Sequence, residues 1–125
     1  PLEVAGRYNV QITRISGCDN DTSLVQRWAE GPLEVTGTGG RLTFDFGDGA
    51  LFSGSVDADG LYAFAGDFSW QGAALEVEQD GQFTASSGGW DASGTFSIRV
   101  DEDEFESNNC TLEAGMDAVW IAPAS

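Results

Sequence analysis

Between Arg41 and Val100 apolar and polar residues alternate with a period of two, and few folds accommodate that pattern. In Arg41-Leu42-Thr43-Phe44-Asp45-Phe46 every second side chain is apolar, which gives a strand one buried and one solvated face. The same alternation places Phe52, Gly54 and Val56 on one face. It recurs for Tyr62, Phe64, Gly66, Phe68 and Trp70, for Leu75 and Val77, for Phe83 and Ala85, and for Trp90, Ala92, Gly94, Phe96, Ile98 and Val100. Between these runs stand Gly47-Asp48-Gly49, Asp59-Gly60 and Asp80-Gly81, residue types that tolerate positive φ and mark turns. Asp59-Gly60 reads as a two-residue hairpin loop with both central residues at positive φ. Strands at roughly ten-residue spacing point to an all-β sandwich or barrel.

Outside this meander, Gly6 to Ile15 predicts a first strand with Tyr8, Val10 and Ile12 facing inward. Asp21 or Thr22 can cap a short helix that carries Leu24, Val25 and Trp28 on one side and plugs an end of the β structure. Pro32 ends it, Leu33 to Thr36 forms a second strand, and Gly37-Thr38-Gly39-Gly40 is a turn. The run Asp101-Glu102-Asp103-Glu104 belongs at an exposed turn. A penultimate strand then carries Cys110 and Leu112, Gly115 turns the chain, and Ala118 to Ile121 closes it. Sequential strands joined by tight turns favour an antiparallel up-and-down meander barrel of about eight strands over a sandwich with long crossovers. Residues 1–125 are expected to form one barrel domain with one short helix near the N-terminus.

Charge and composition remove several functions. Twenty-one acidic residues stand against five arginines, with neither Lys nor His, for a formal charge of −16. That balance opposes binding to nucleic acid, whose phosphates need cations, and to an anionic membrane surface. No stretch approaches the ~18 apolar residues of a helical span, so membrane insertion is not expected. Pro1 is not a native start, so the chain reads as a mature or trimmed form. Without His there is no base for a Ser or Cys nucleophile, and without Lys no Schiff-base chemistry. A carboxylate pair could still serve, yet Asp45 points outward by the alternation and Asp67 qualifies only if it points inward. No enzymatic activity is therefore expected.

The two cysteines, Cys18 and Cys110, lack metal-ligand spacing. A structural disulfide worth roughly 4–5 kcal/mol in the chain-entropy model is the preferred reading, two buried free thiols the other. A bridge implies an oxidising compartment: secreted, periplasmic or cell surface. It also agrees with barrel closure, which brings the two ends of the chain together.

Gly6-Arg7-Tyr8 at the start of the first strand, the helical plug around Trp28 and the meander together resemble the lipocalin-like, calycin-type secreted barrels of bacteria. Tyr8 stands where lipocalins place Trp in Gly-x-Trp. The resemblance implies the barrel architecture and a tendency to bind small ligands.

Two kinds of site follow. The aromatic residues Tyr62, Phe64, Phe68, Trp70, Trp90 and Phe96 either fill a small barrel or line an apolar pocket. As a pocket, Phe64, Trp70, Trp90 and Phe96 supply contact area for a small apolar or aromatic molecule at the open end, and Arg99 or Arg41 at the rim orients a carboxylate. Oxygen ligands for Ca²⁺, the one cofactor with candidates, cluster at Asp19-Asn20-Asp21, at Asp57 and Asp59, and at Asp101 and Asp103. Turn chemistry and solvation also account for these acids. The outward residues Leu61, Ala63 and Ala65 are apolar too, and are either covered by the helix or exposed to a protein partner. The alternative function is thus a structural or interaction subunit of a cell-surface or extracellular assembly, stabilised by Ca²⁺. A third is an inhibitor or cation-dependent adhesion domain acting through the acidic loops.

Overall fold

The computed structural model describes residues 3–17, 24–47, 49–70, 73–101 and 110–123. Eight strands, β1 (Gly6–Ser16), β2 (Gly31–Thr38), β3 (Arg41–Asp45), β4 (Leu51–Val56), β5 (Leu61–Trp70), β6 (Ala73–Ser86), β7 (Gly89–Asp101) and β8 (Cys110–Pro123), pair in chain order. All pairs are antiparallel, and β8 returns to β1 to close the barrel. A six-residue helix, α1 (Leu24–Ala29), lies between β1 and β2. The up-and-down barrel expected from the alternation is thus the observed fold.

Parity decides which residues form the core. Tyr8, Val10 and Ile12 of β1 are buried, as are Leu42 and Phe44 of β3, Tyr62, Phe64 and Phe68 of β5, and Phe96, Ile98 and Val100 of β7. Between them stand exposed polar residues such as Asn9, Asp67 and Ser97. Burying one Phe or Leu side chain contributes roughly 1.5–3 kcal/mol, so this face drives closure. The outward residues Leu61, Ala63 and Ala65 are exposed, and α1 does not cover them. Leu51, Val119 and Ile121 are further apolar side chains facing solvent.

Three turn assignments change. Asp80-Gly81 is not a turn: β6 runs through it for 14 residues, with Gly81 paired to Tyr62 on one side and Gly94 on the other. Gly115 is not a turn either but lies within the 14-residue β8, between Thr13 and Thr95. Cys110 therefore opens the last strand rather than sitting in a penultimate one. In both strands glycine serves close packing. A Cβ on Gly81 would lie 2.7 Å from the Tyr62 hydroxyl, and one on Gly115 would collide with Thr13 Oγ1.

The third change is at Asp57 to Gly60, a four-residue loop rather than a two-residue one. Only Gly60 takes positive φ, at 89°. The Asp57 carboxylate accepts hydrogen bonds from the backbone N–H of Asp59 (2.9 Å) and of Leu61 (3.0 Å). The Gly60 N–H donates to the Asp57 carbonyl at 3.1 Å. The Asp side chain builds the turn by itself, a familiar property of Asx residues.

The barrel has two distinct ends. At one lie α1 and the ends of β1, β3, β5 and β7, with the starts of β2, β4, β6 and β8. At the other lie the β2–β3, β4–β5 and β6–β7 turns and the start of β1. This second end is closed by the sheet's own residues. Trp120 of β8 packs across Gly6 and Gly89, leaving no room for a Cβ on either. Its ring meets Tyr8 edge-on at 5.4 Å, and the Tyr8 hydroxyl donates to the carbonyl of the buried Val4 at 2.6 Å.

Candidate functional site

At the helix end the inward rings converge on a side chain that no strand supplies. Trp28 of α1 is 3% exposed and lies against Phe46 (5.6 Å between ring centroids), Phe52 (5.9 Å), Phe68 (5.3 Å) and Phe96 (5.6 Å). Three of these contacts are edge-to-face, the arrangement aromatic quadrupoles favour. The indole Nε1–H has no hydrogen-bond partner among the described residues. A buried donor in that state costs about 1–3 kcal/mol relative to a paired one. Where the β1–β2 ladder stops at Val10–Gly31, the Glu30 carboxylate accepts the N–H of Ile12 at 3.0 Å. That bond ties the C-terminal side of α1 to the barrel wall.

Deeper in, Phe64 touches Phe44 (4.5 Å), Phe46 (5.9 Å), Phe52 (5.3 Å) and Phe96 (6.0 Å). At mid-height stands the one amide side chain of the described core. Gln79 of β6 is 2% exposed; its Oε1 accepts from the Tyr62 hydroxyl and its Nε2 donates to Met116 Sδ at 3.3 Å. Loss of water raises the Tyr62 phenol above its ordinary value, and the nearby charge of Asp80 adds to the effect. Tyr8 is raised in the same way, first by burial and then by Asp91. Both phenols are therefore neutral donors, not bases.

The candidate residues separate as follows. Phe64 and Phe96 come together inside the barrel. Trp70 and Trp90 do not share an end: Trp70 pairs with Ala73 at the start of β6 and Trp90 with Ala85 near its finish. Trp90 is half-buried against the core at the end away from α1, whereas the side chain of Trp70 lies outside the described residues. Arg99 faces outward from β7, mostly exposed, 4.0 Å from Glu76. It lines a surface groove with Asp67, Ser69 and Glu76 and does not reach the interior. Arg41 is exposed at the start of β3.

The metal candidates are likewise apart. Asp57 and Asp59 flank the β4–β5 turn, whereas Asp101 ends β7 beside Ala74, at the helix end. One ion cannot join the two sets. Asp103, with Asp19, Asn20 and Asp21, lies outside the described residues, and among those described no group of three or more His, Cys, Asp or Glu is arranged to hold a metal. Asp45 and Asp67 both face solvent, and Asp45 accepts from the Gly47 N–H at 2.8 Å. No described helix is long and apolar enough to cross a membrane.

Sequence reasoning missed Gln79, Val4 and Trp120. The signal for the first was present: Leu75, Val77, Gln79, Gly81 and Phe83 share one parity without interruption. Reading Asp80-Gly81 as a turn hid it. Comparison of the chain with protein-family models, with curated proteins and with solved structures gives no match.

Proposed function

We propose that this chain is a non-enzymatic, calycin-type barrel that binds a small apolar or aromatic molecule at the end closed by α1. The observation that carries the reading is the convergence of inward rings on Trp28, a side chain from outside the sheet. The rings of Phe52, Phe68 and Phe96 belong to strands paired in the sheet, Phe96 on both sides and Phe52 and Phe68 on one, so entry by parting strands breaks ladder hydrogen bonds. The helix end offers the cheaper route. Phe64 and Phe96 supply contact area there, and neither Arg99 nor Arg41 takes part.

Secretion, or residence in the periplasm or at the cell surface, belongs to the same proposal and rests on a Cys18–Cys110 bridge. Cys18 itself lies outside the described residues. Its neighbour Gly17, at φ 83°, packs so closely on the Thr111 carbonyl that a Cβ there would collide with it. The residue before one cysteine thus touches the residue after the other, which supports a bridge at the helix end.

Titration with a fatty acid, retinol and 1-anilinonaphthalene-8-sulfonate tests the ligand reading. A saturable change in tryptophan or dye fluorescence at micromolar concentration is expected. No saturation with any of the three, nor with the uncharged, donor-free naphthalene, removes the reading. A second reading has its own observation: Ala63 and Ala65 of the outward apolar stripe line a groove with Glu78, Asp80, Thr95 and Ser97. That surface suits a subunit of an extracellular assembly, and self-association without any ligand response would favour it.

A further inference from the structure

We propose that Trp28 is a resident occupant of the ligand site, displaced when the ligand enters, and that the preferred ligand is an uncharged aromatic ring system without a hydrogen-bond donor. The inference rests on the ligand-binding reading above and adds how the site is gated and what it selects.

Three observations converge. First, among the described core rings Trp28 is the one carried on the helix. Its place is fixed by side-chain packing and not by a ladder of backbone bonds. Second, the cage around it is made of four phenylalanines, Phe46, Phe52, Phe68 and Phe96, at 5.3–5.9 Å. Such a cage fits a flat bicyclic ring and does not depend on the indole in particular. Third, the indole N–H finds no acceptor among the described residues. A native core residue ordinarily satisfies such a group. Here the cage is better matched to a ring that lacks the N–H than to the one that fills it.

The same mismatch sets the selectivity. A ligand of indole's outline with no donor gains the four ring contacts and strands nothing. A ligand with an N–H or O–H in that position repeats the defect, and a charged one adds an unpaired ion in an apolar cage. The bond from Ile12 N–H to Glu30 lies just beyond Trp28 in the chain. It lets the helix swing outward about its C-terminal side without detaching. The expelled indole gains water as a partner for its N–H, which offsets part of the lost packing.

The test uses the full chain labelled with 5-fluorotryptophan, which gives one fluorine signal for each of the four tryptophans. The Trp28 signal is identified by its loss in Trp28→Phe. Benzofuran, which has indole's outline without the N–H, is the probe. Saturation with benzofuran is expected to move the Trp28 signal toward its position in denaturant while the far-ultraviolet spectrum stays that of the folded barrel. Trp28→Ala is expected to bind benzofuran about tenfold more tightly than the wild type, and to prefer it to indole by about tenfold after correction for partition from water. If the Trp28 signal stays in place while benzofuran saturates, the molecule binds elsewhere: the inference falls and the ligand-binding reading stands. Absence of benzofuran binding to both proteins overturns the inference, and the fatty acid, retinol, dye and naphthalene titrations then decide the reading on their own. Should Trp28→Ala fail to fold, the wild-type titration alone decides between displacement and binding elsewhere.

Discussion

A tryptophan closes each end of this barrel, and the two closures differ in what holds the ring. Trp120 belongs to β8, and its backbone is paired with Tyr8 of β1. Its backbone N–H donates to Asp91 at 3.4 Å, and its ring rests on two glycines that have no side chain to push it away. Trp28 belongs to a six-residue helix, far shorter than the roughly 12–15 residues an isolated helix needs even to be marginal in water. Its indole is the more deeply buried and yet the less well satisfied. Burial and permanence are therefore separate properties here. On the proposal above, a ring that is almost fully enclosed is also the one most readily displaced, because its backbone lies outside the sheet.

The largest test of this contrast is the proposed Cys18–Cys110 bridge, which would staple the helix end alone. Reduction, or the substitution Cys110→Ser, should lower unfolding stability by roughly 4 kcal/mol. Hydrogen exchange should rise first in α1 and in the last residues of β1, while Tyr8 and its β8 partners stay protected. Equal loosening at both ends would erase the distinction.

Alkali probes the opposite end and the middle. Tyr8 and Tyr62 have phenol values raised in the folded state, chiefly by burial. Unfolded tyrosine ionises near pH ~10. Below that pH both states are protonated and the contribution is complete. Above it the unfolded chain releases protons that the folded chain retains, so stability falls as pH rises toward the folded-state values. Each phenol should contribute a slope of about 1.4 kcal/mol per pH unit in that range. Denaturant melts from about pH 9 to about pH 12 measure it, and Tyr8→Phe should remove about half of the slope.

The smallest effect belongs to Trp28→Phe. This change removes ring area but also the unpartnered N–H, and the two act in opposite directions. The net change in stability should stay within about 1.5 kcal/mol, well below the roughly 3–5 kcal/mol typical when a buried Trp or Phe is cut to Ala. Urea unfolding of the two proteins measures the size. A loss as large as that of an alanine substitution would mean the indole is held as firmly as any strand ring.

Much of the fold was legible because parity is a strong signal in strands with one wet face. Leu42 to Phe46 and Ala92 to Val100 have the faces their alternation indicates. Glycine is harder to read, because one residue type does two jobs. At Gly60 it permits positive φ in a turn; at Gly81 and Gly94 it makes room for the ring of Tyr62 within continuous strands. Local sequence does not separate these uses, but unbroken parity on either side does, for Gly81 and equally for Gly115 between Ala114 and Met116. The site was less legible. Trp70 and Trp90 look alike as inward aromatics, and only the length of β6 assigns them to different ends. The exposure of Arg99 does follow from its alternation with Ile98 and Val100, and a rim role required ignoring that.

The Tyr62–Gln79 pair has one more consequence, for how the strands find their alignment. Sliding β6 along β5 by two places would keep every apolar side chain indoors, so alternation alone cannot forbid it. Such a slide would carry the Gln79 amide away from its phenol and put a side chain where Gly81 now lies beneath that ring. A single amide in an otherwise oily cylinder thus acts as an index mark, admitting one setting of neighbouring staves and rejecting the next.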